Sequence, residues 1–271
     1  MALMASTLRR AYVDVAGGQM HYRVAGEVGA PALVLLHQSP SHSVMYELLM
    51  NALADKFYLL APDTPGFGGS DPLAGNEGSI PAFAGAIAEF LAALGIQQCH
   101  LFGHHTGAAI AAEITATNTG LVRALALSGP TLLTEAQKIA LPAQAQALPA
   151  VADGSHLQQM WQRIKAKDED APLSLVQREV LSALDCGDAY GASYLAVTQH
   201  DFEASLAAIE CPVLVFAGDC DPLFGAVAPT VARLSRGEGA ELSGGERTYV
   251  CERQTEQVAD LLREFFSRGA V

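Results

Sequence analysis

The chain has 271 residues, half of them hydrophobic and 17% charged, which suits one large domain with a sizeable core and excludes intrinsic disorder. Its formal net charge of −13 at pH 7 makes a surface that repels phosphate backbones and anionic headgroups, so neither nucleic acid nor membrane is an expected partner. Five cysteines without a Cys-x-x-Cys pair argue against a disulfide framework or a zinc site, and for reduced thiols in the cytoplasm.

Along the chain, short β-rich runs alternate with longer helical ones, the pattern of a largely parallel sheet covered by helices. The N-terminal stretch carries Arg9 and Arg10 after its apolar residues, the reverse of a secretory signal, and no apolar run reaches the length of a membrane span. Ala11–Val15 and Met20–Val24 flank Ala16-Gly17-Gly18 and predict a hairpin. Ala32–Leu36 is continuously apolar, as expected of a strand buried on both faces. A helix over about 44–55 and a strand at Phe57–Ala61 follow, then a turn-rich loop from Asp63 to Asp71. Phe83, Ile87, Phe90, Leu91 and Leu94 recur at helical spacing over 80–94. Cys99–Phe102 predicts a short strand, an Ala-rich helix runs to about 117, and Val122–Leu127 is the next strand.

The rhythm then changes, because residues 130–205 read as helical without a convincing strand. Strands resume at Pro212–Ala217 and Ala240–Leu242, and a helix over Thr255–Ser267 closes the chain. The expected organisation is a core of 1–129 and 206–271 with a helical cap, 130–205, inserted over the site.

Between the strand at Cys99–Phe102 and its helix lies Gly103-His104-His105-Thr106-Gly107. A strand, a Gly-x-Nu-x-Gly turn and a helix present residue Nu on a sharp bend above the sheet edge, and glycines flank it because a Cβ there would strike neighbouring backbone. His105 is the residue so presented. Leu35-Leu36-His37-Gln38-Ser39-Pro40 resembles the His-Gly-x-Pro oxyanion loop of the α/β-hydrolase superfamily, with Gln38 in place of glycine. Asp63-Thr64-Pro65-Gly66-Phe67-Gly68-Gly69-Ser70 is similar to that family's D-x-P-G-x-G-x-S loop, and Pro212–Asp221 resembles the strand and turn that deliver its catalytic acid. The resemblance spans nearly the whole chain. It implies an α/β fold with a mostly parallel eight-stranded sheet, flanking helices and a helical cap. The His-Gln-Ser-Pro loop with the Gly-His-His-Thr-Gly elbow resembles a bacterial subgroup labelled only as hydrolases.

Two of the three triad positions depart from the family. Histidine replaces the nucleophile, and no histidine follows His200; the position matching the family's catalytic histidine holds Arg247. A serine-hydrolase mechanism is therefore excluded. An imidazole on the elbow extends toward the space a triad histidine normally fills, so His105 is expected to act as general base and acid. Asp221 is the matching acid to orient it, with Asp219 as the fallback. The backbone N–H groups of Ser39 and Thr106 are the expected oxyanion hole. Such a site suits hydrolysis of a small carbonyl-containing molecule, or alternatively C–C bond cleavage or decarboxylation. The reading from another class is a catalytically silent, ligand-binding protein.

Further candidates for substrate contact are His37, Gln38, His156, Trp161, His200 and Arg247. Of these, His37 reads more readily as a brace of the oxyanion loop. His156 and Trp161 lie in the expected cap, and Arg247 either binds a substrate carboxylate or pairs on the surface. No metal or cofactor is expected, since the glycine-rich loops match neither phosphate-binding fingerprint.

Overall fold

The computed structural model describes residues 8–73 and 78–268, so the reading of the N-terminal stretch falls largely on residues 1–7, outside the described ones. Eight strands form one sheet in the order β1-β2-β4-β3-β5-β6-β7-β8: β1 Arg9–Val15, β2 Gly18–Ala25, β3 Ala32–Leu36, β4 Tyr58–Pro62, β5 Cys99–His104, β6 Val122–Ser128, β7 Val213–Gly218 and β8 Gly237–Leu242. The β1–β2 hairpin pairs antiparallel, β2 joins β4 antiparallel, and every later pairing is parallel.

The alternation of side chains across each strand divides the core into two layers. Val34, Leu36, Leu125, Leu127, Val213 and Val215 face helices α2 Ile80–Ala93, α3 Thr106–Thr117 and α8 Phe202–Ala208. Leu33, Leu35, Ala126, Leu214 and Phe216 face α1 Glu47–Leu53, α10 Val250–Arg253 and α11 Thr255–Ser267 on the other side. Covering both faces explains why the central strands read as unbroken apolar runs. Ser79 caps α2 by accepting the Ala82 N–H.

Between β6 and β7 the chain runs through α4 Glu135–Gln144, α5 Ser155–Lys165, α6 Leu173–Asp185 and α7 Asp188–Gln199 before reaching α8. These inserted helices bury a third apolar cluster of their own, centred on Met160, Ile164, Val176, Val180 and Tyr190. A short helix, α9 Val227–Val231, links β7 to β8.

Two expected elements differ from the reading above. The helix expected over 44–55 opens as a single 3-10 turn, Ser43–Tyr46, before α1. The last strand begins at Gly237, three residues before its apolar part, because an edge strand paired only with β7 tolerates Glu238 and Gly239. Among the described residues, no helix is long and apolar enough to cross a membrane.

Candidate active site

His105 stands between β5 and α3 with φ +50° and ψ −112°, the one non-glycine residue with positive φ among those described. Such backbone strain, held by its surroundings, marks functional turns. The flanking glycines are required sterically. A Cβ on Gly103 would come 2.2 Å from the Gly107 carbonyl oxygen, and one on Gly107 would come 1.9 Å from that of Leu36. The His105 N–H donates to the Ser128 carbonyl at the end of β6, and its carbonyl accepts the Ala108 N–H of the new helix.

From that bend the ring reaches Asp221, in the turn after β7: Nε2 lies 2.7 Å from Oδ2. The other Asp221 oxygen accepts the Leu223 N–H at 2.7 Å. Its side chain is fully buried, and that of His105 is 16% exposed. Burial opposes the Asp221 charge, but the His105 ring and the Leu223 N–H outweigh it and hold the carboxyl below its ordinary value. The fallback Asp219 is occupied elsewhere, accepting the Gly244 and Gly245 N–H groups. An ionised Asp221 only accepts hydrogen bonds, so the proton of a neutral His105 sits on Nε2 and the lone pair on Nδ1. The Cδ2–Nε2 edge packs on Gly129, which leaves Nδ1 on the opposite edge with no protein partner among the described residues.

His104 is fully buried beneath, its ring stacked 4.2 Å from that of His105. Its Nε2–H donates to the Thr248 carbonyl and its Nδ1 accepts from the Ser128 hydroxyl, both at 2.9 Å. Burial and the neighbouring His105 push it down to about 3, so it is a neutral platform. His104, His105 and Asp221 come close enough together to surround an ion. The set does not suit a metal, because a His104 that donates from Nε2 and accepts at Nδ1 has no lone pair to offer.

The expected oxyanion donors flank the same point. Thr106 opens α3, where the first N–H groups have no intrahelical acceptor. The Ser39 N–H makes one long contact, 3.4 Å, to the Thr106 hydroxyl. Gln38, which replaces the family's glycine, accepts from the Thr248 hydroxyl at 2.8 Å and so ties the oxyanion loop to the loop carrying Arg247. Above these groups lies a cavity of about 680 Å³ whose lining includes His105, Ser39, Thr106, Gln38, Thr248 and Arg247.

The other residues singled out in the sequence lie away from its lining. His37 braces the loop, with Nδ1 on the Gln38 carbonyl and Nε2 accepting the Thr64 N–H. The ring of His156 accepts the Val151 N–H at 3.4 Å, and Trp161 packs on the inserted helices' own core. His200 meets Glu113 and Ser205 where α7 ends on the core, beside a separate hollow. Arg163, Lys167, Thr131 and Gly129 surround the cavity or the His105 ring without having been singled out. Arg163 lies in the last turn of α5 and Lys167 two residues past its end, and no motif in the sequence marks either.

The alpha/beta hydrolase fold family model matches residues 31–234, and the chain belongs to that family. Among curated proteins, an uncharacterized hydrolase of Saccharomyces cerevisiae is 32% identical over 39% of this chain and 38% of its own length. Haloalkane dehalogenase 2 of Mycobacterium tuberculosis is 31% identical over 49% of this chain and 45% of its own. The chain thus spans less than half the length of these relatives. The match to 3-oxoadipate enol-lactonase 1 of Acinetobacter baylyi is longer, at 24% identity over 76% and 77%. Among solved structures, the enol-lactonase from Burkholderia xenovorans superposes with a TM-score of 0.79 at 19% identity, covering 95% of this chain and all of that one. At that identity the likeness concerns the fold.

Proposed function

We propose that the chain is a cofactor-independent enzyme acting on a small carbonyl-containing molecule, with His105 as general base and acid at the elbow position where the fold usually carries a serine nucleophile. The observation that carries this reading is the 2.7 Å hydrogen bond from His105 Nε2, whose ring lines the cavity, to the buried Asp221 behind it. In hydrolysis, Nδ1 takes a proton from water as its oxygen attacks the carbonyl carbon. The resulting oxyanion accepts from the Ser39 and Thr106 N–H groups, the former giving up its long contact with the Thr106 hydroxyl. The tetrahedral intermediate then collapses, and the imidazolium returns its proton to the leaving group. The ionised Asp221 stabilises that imidazolium, and the neutral His104 below adds no opposing charge.

The inserted helices, 130–205, serve as a cap on the core formed by 1–129 and 206–271, with Gln38 and Arg247 among the substrate contacts. The named enol-lactonase relative supports a carbonyl substrate, and the five free cysteines suit a reducing cytoplasm. Small activated esters, lactones and β-keto acids form the panel on which activity is sought. On the best of these, His105→Gln and Asp221→Asn are expected to lower kcat/KM by roughly 10²–10⁴-fold, the usual worth of a positioned base. Unchanged turnover in His105→Ala would sink the proposal. Solvent ¹⁸O in the product acid identifies hydrolysis; turnover without it identifies C–C cleavage or decarboxylation by the same base.

A further inference from the structure

We infer that the cavity is built for a small organic acid, a substrate carrying a carboxylate beside its reactive carbonyl, with Arg247 as the principal binding residue for that carboxylate. The inference rests on the reading of His105 as the base of this cavity. The lining contains Arg163, Lys167 and Arg247 and no aspartate or glutamate. This reverses the composition of the chain, which has 29 acidic residues against 16 lysines and arginines. The three cations also differ from most of the others in having no carboxylate partner among the described residues. Arg23, Arg178, Arg233, Arg253, Arg263 and Arg268 are all ion-paired.

Each of the three is held ready in a different way. Arg163 gives one N–H to the Gln146 carbonyl and keeps the rest of its guanidinium free. The Lys167 ammonium lies 5.6 Å and 5.8 Å from the ring centroids of Tyr190 and Tyr194, a cation–π seat that favours the charged form. Arg247 is exposed at the cavity and has no hydrogen-bond partner among the described residues, so its planar fork is available for a carboxylate. A fourth group is unsatisfied: the Thr131 hydroxyl, buried on the same lining, has no partner. Buried polar atoms left so are rare. Leu133, Leu141, Val197 and Leu223 make up much of the remaining wall, which suits a hydrocarbon body with one charged end better than a phosphate. A positive cleft in a negative molecule also concentrates anions locally against the repulsion of the surface.

Calorimetric titration at low salt tests this with succinate, adipate and phenylacetate, each against its own amide, and with inorganic phosphate. At least one acid is expected to bind tenfold or more tightly than its amide and to weaken as salt is added. Arg247→Gln and Lys167→Met should each lower that affinity about tenfold, roughly the worth of one charge-assisted hydrogen bond. Arg123→Gln, an exposed change on β6 outside the cavity, should leave it within twofold. Circular dichroism confirms that each variant is folded; if Arg247→Gln is not, Arg247→Lys replaces it, with a smaller loss expected. The proposal is overturned if amides bind as tightly as acids, if phosphate alone binds, or if the folded variants bind as the wild type does. His105→Gln separates the two proposals, since it should lose turnover while the acid still binds more tightly than its amide. Acid binding with turnover that survives His105→Gln refutes the base and keeps the organic-acid site. The opposite result keeps the base and removes the site.

Discussion

The His105 ring lies so that a Cβ on Gly129 would stand 2.2 Å from its Cδ2 and 2.5 Å from its Nε2. Gly129 also has a φ of +59°, where a side chain is strained. Gly129→Ala is therefore expected to push the ring off Asp221, lowering kcat/KM by about 10² as the orientation of the base is lost. It should also cost on the order of 1–2 kcal/mol of stability through the backbone. Kinetics and urea unfolding measure the two effects separately, and near-normal turnover would show that ring placement is unimportant. The pairing of His105 with Asp221 was legible in the sequence, because the elbow and the acid turn each carry a local pattern. Which nitrogen holds the proton was not legible. It depends on Gly129, which comes from another strand end and has no motif of its own.

Arg178 stands at the centre of a dense ionic junction between the inserted helices and the core. Arg178 on α6 spans Glu179 beside it and Glu252 on α10, while Glu179 accepts from the Ser41 hydroxyl beyond the oxyanion loop. The Glu179 side chain is only 2% exposed. Arg178→Met removes the cation and strands that carboxylate, an expected loss of about 3 kcal/mol. Limited proteolysis should then cut within 130–205 faster than in the wild type; equal cleavage rates would mean that the junction does not hold these helices down. The helical character of the segment between β6 and β7 was legible, but the facing of its helices was not, and the expected end at residue 205 falls inside α8, which packs on the core. Met160 and Ile164 turn inward on one apolar face, so Trp161 joins that core rather than the cavity, and His156 turns to the chain before α5. Arg163 and Lys167 share the cavity lining with Arg247, which is distant in sequence, so no local pattern in the sequence brings the three together.

For the molecule as a whole, the buried histidines set the response to acid. Burial pushes His37 down, His42 and His100 to about 4, and His104 to about 3. Unfolded, these imidazoles titrate near 6.5, so below that pH the unfolded chain binds more protons and stability falls until the folded values are reached. Asp63 and Asp221, both held low against the cost of burial, add a further loss as the pH drops below the ordinary carboxylate range. Glu252, raised by its burial, opposes this weakly as one group among several. Thermal unfolding should therefore show a Tm that declines steadily from about pH 6.5 downward. His100→Gln, at a ring packed between Phe57 and Phe266, should flatten the first part of that decline. A level profile between pH 6.5 and 4.5 would contradict the argument. At this scale the sheet was the most legible feature, since strands buried on both faces announce themselves as apolar runs. Its last edge was the least legible, because Gly237, Glu238 and Gly239 carry no such mark.

An imidazole at the bend also governs how the protein meets reagents. Phosphonylating probes that label hydrolases capture an activated alkoxide, and none is offered at this position. The protein is therefore expected to stay unlabelled by such a probe, and labelling at residue 105 would contradict this. Serine at position 105 would supply a hydroxyl but remove the ring hydrogen-bonded to Asp221, and the neighbouring His104 is already engaged by Ser128 and Thr248.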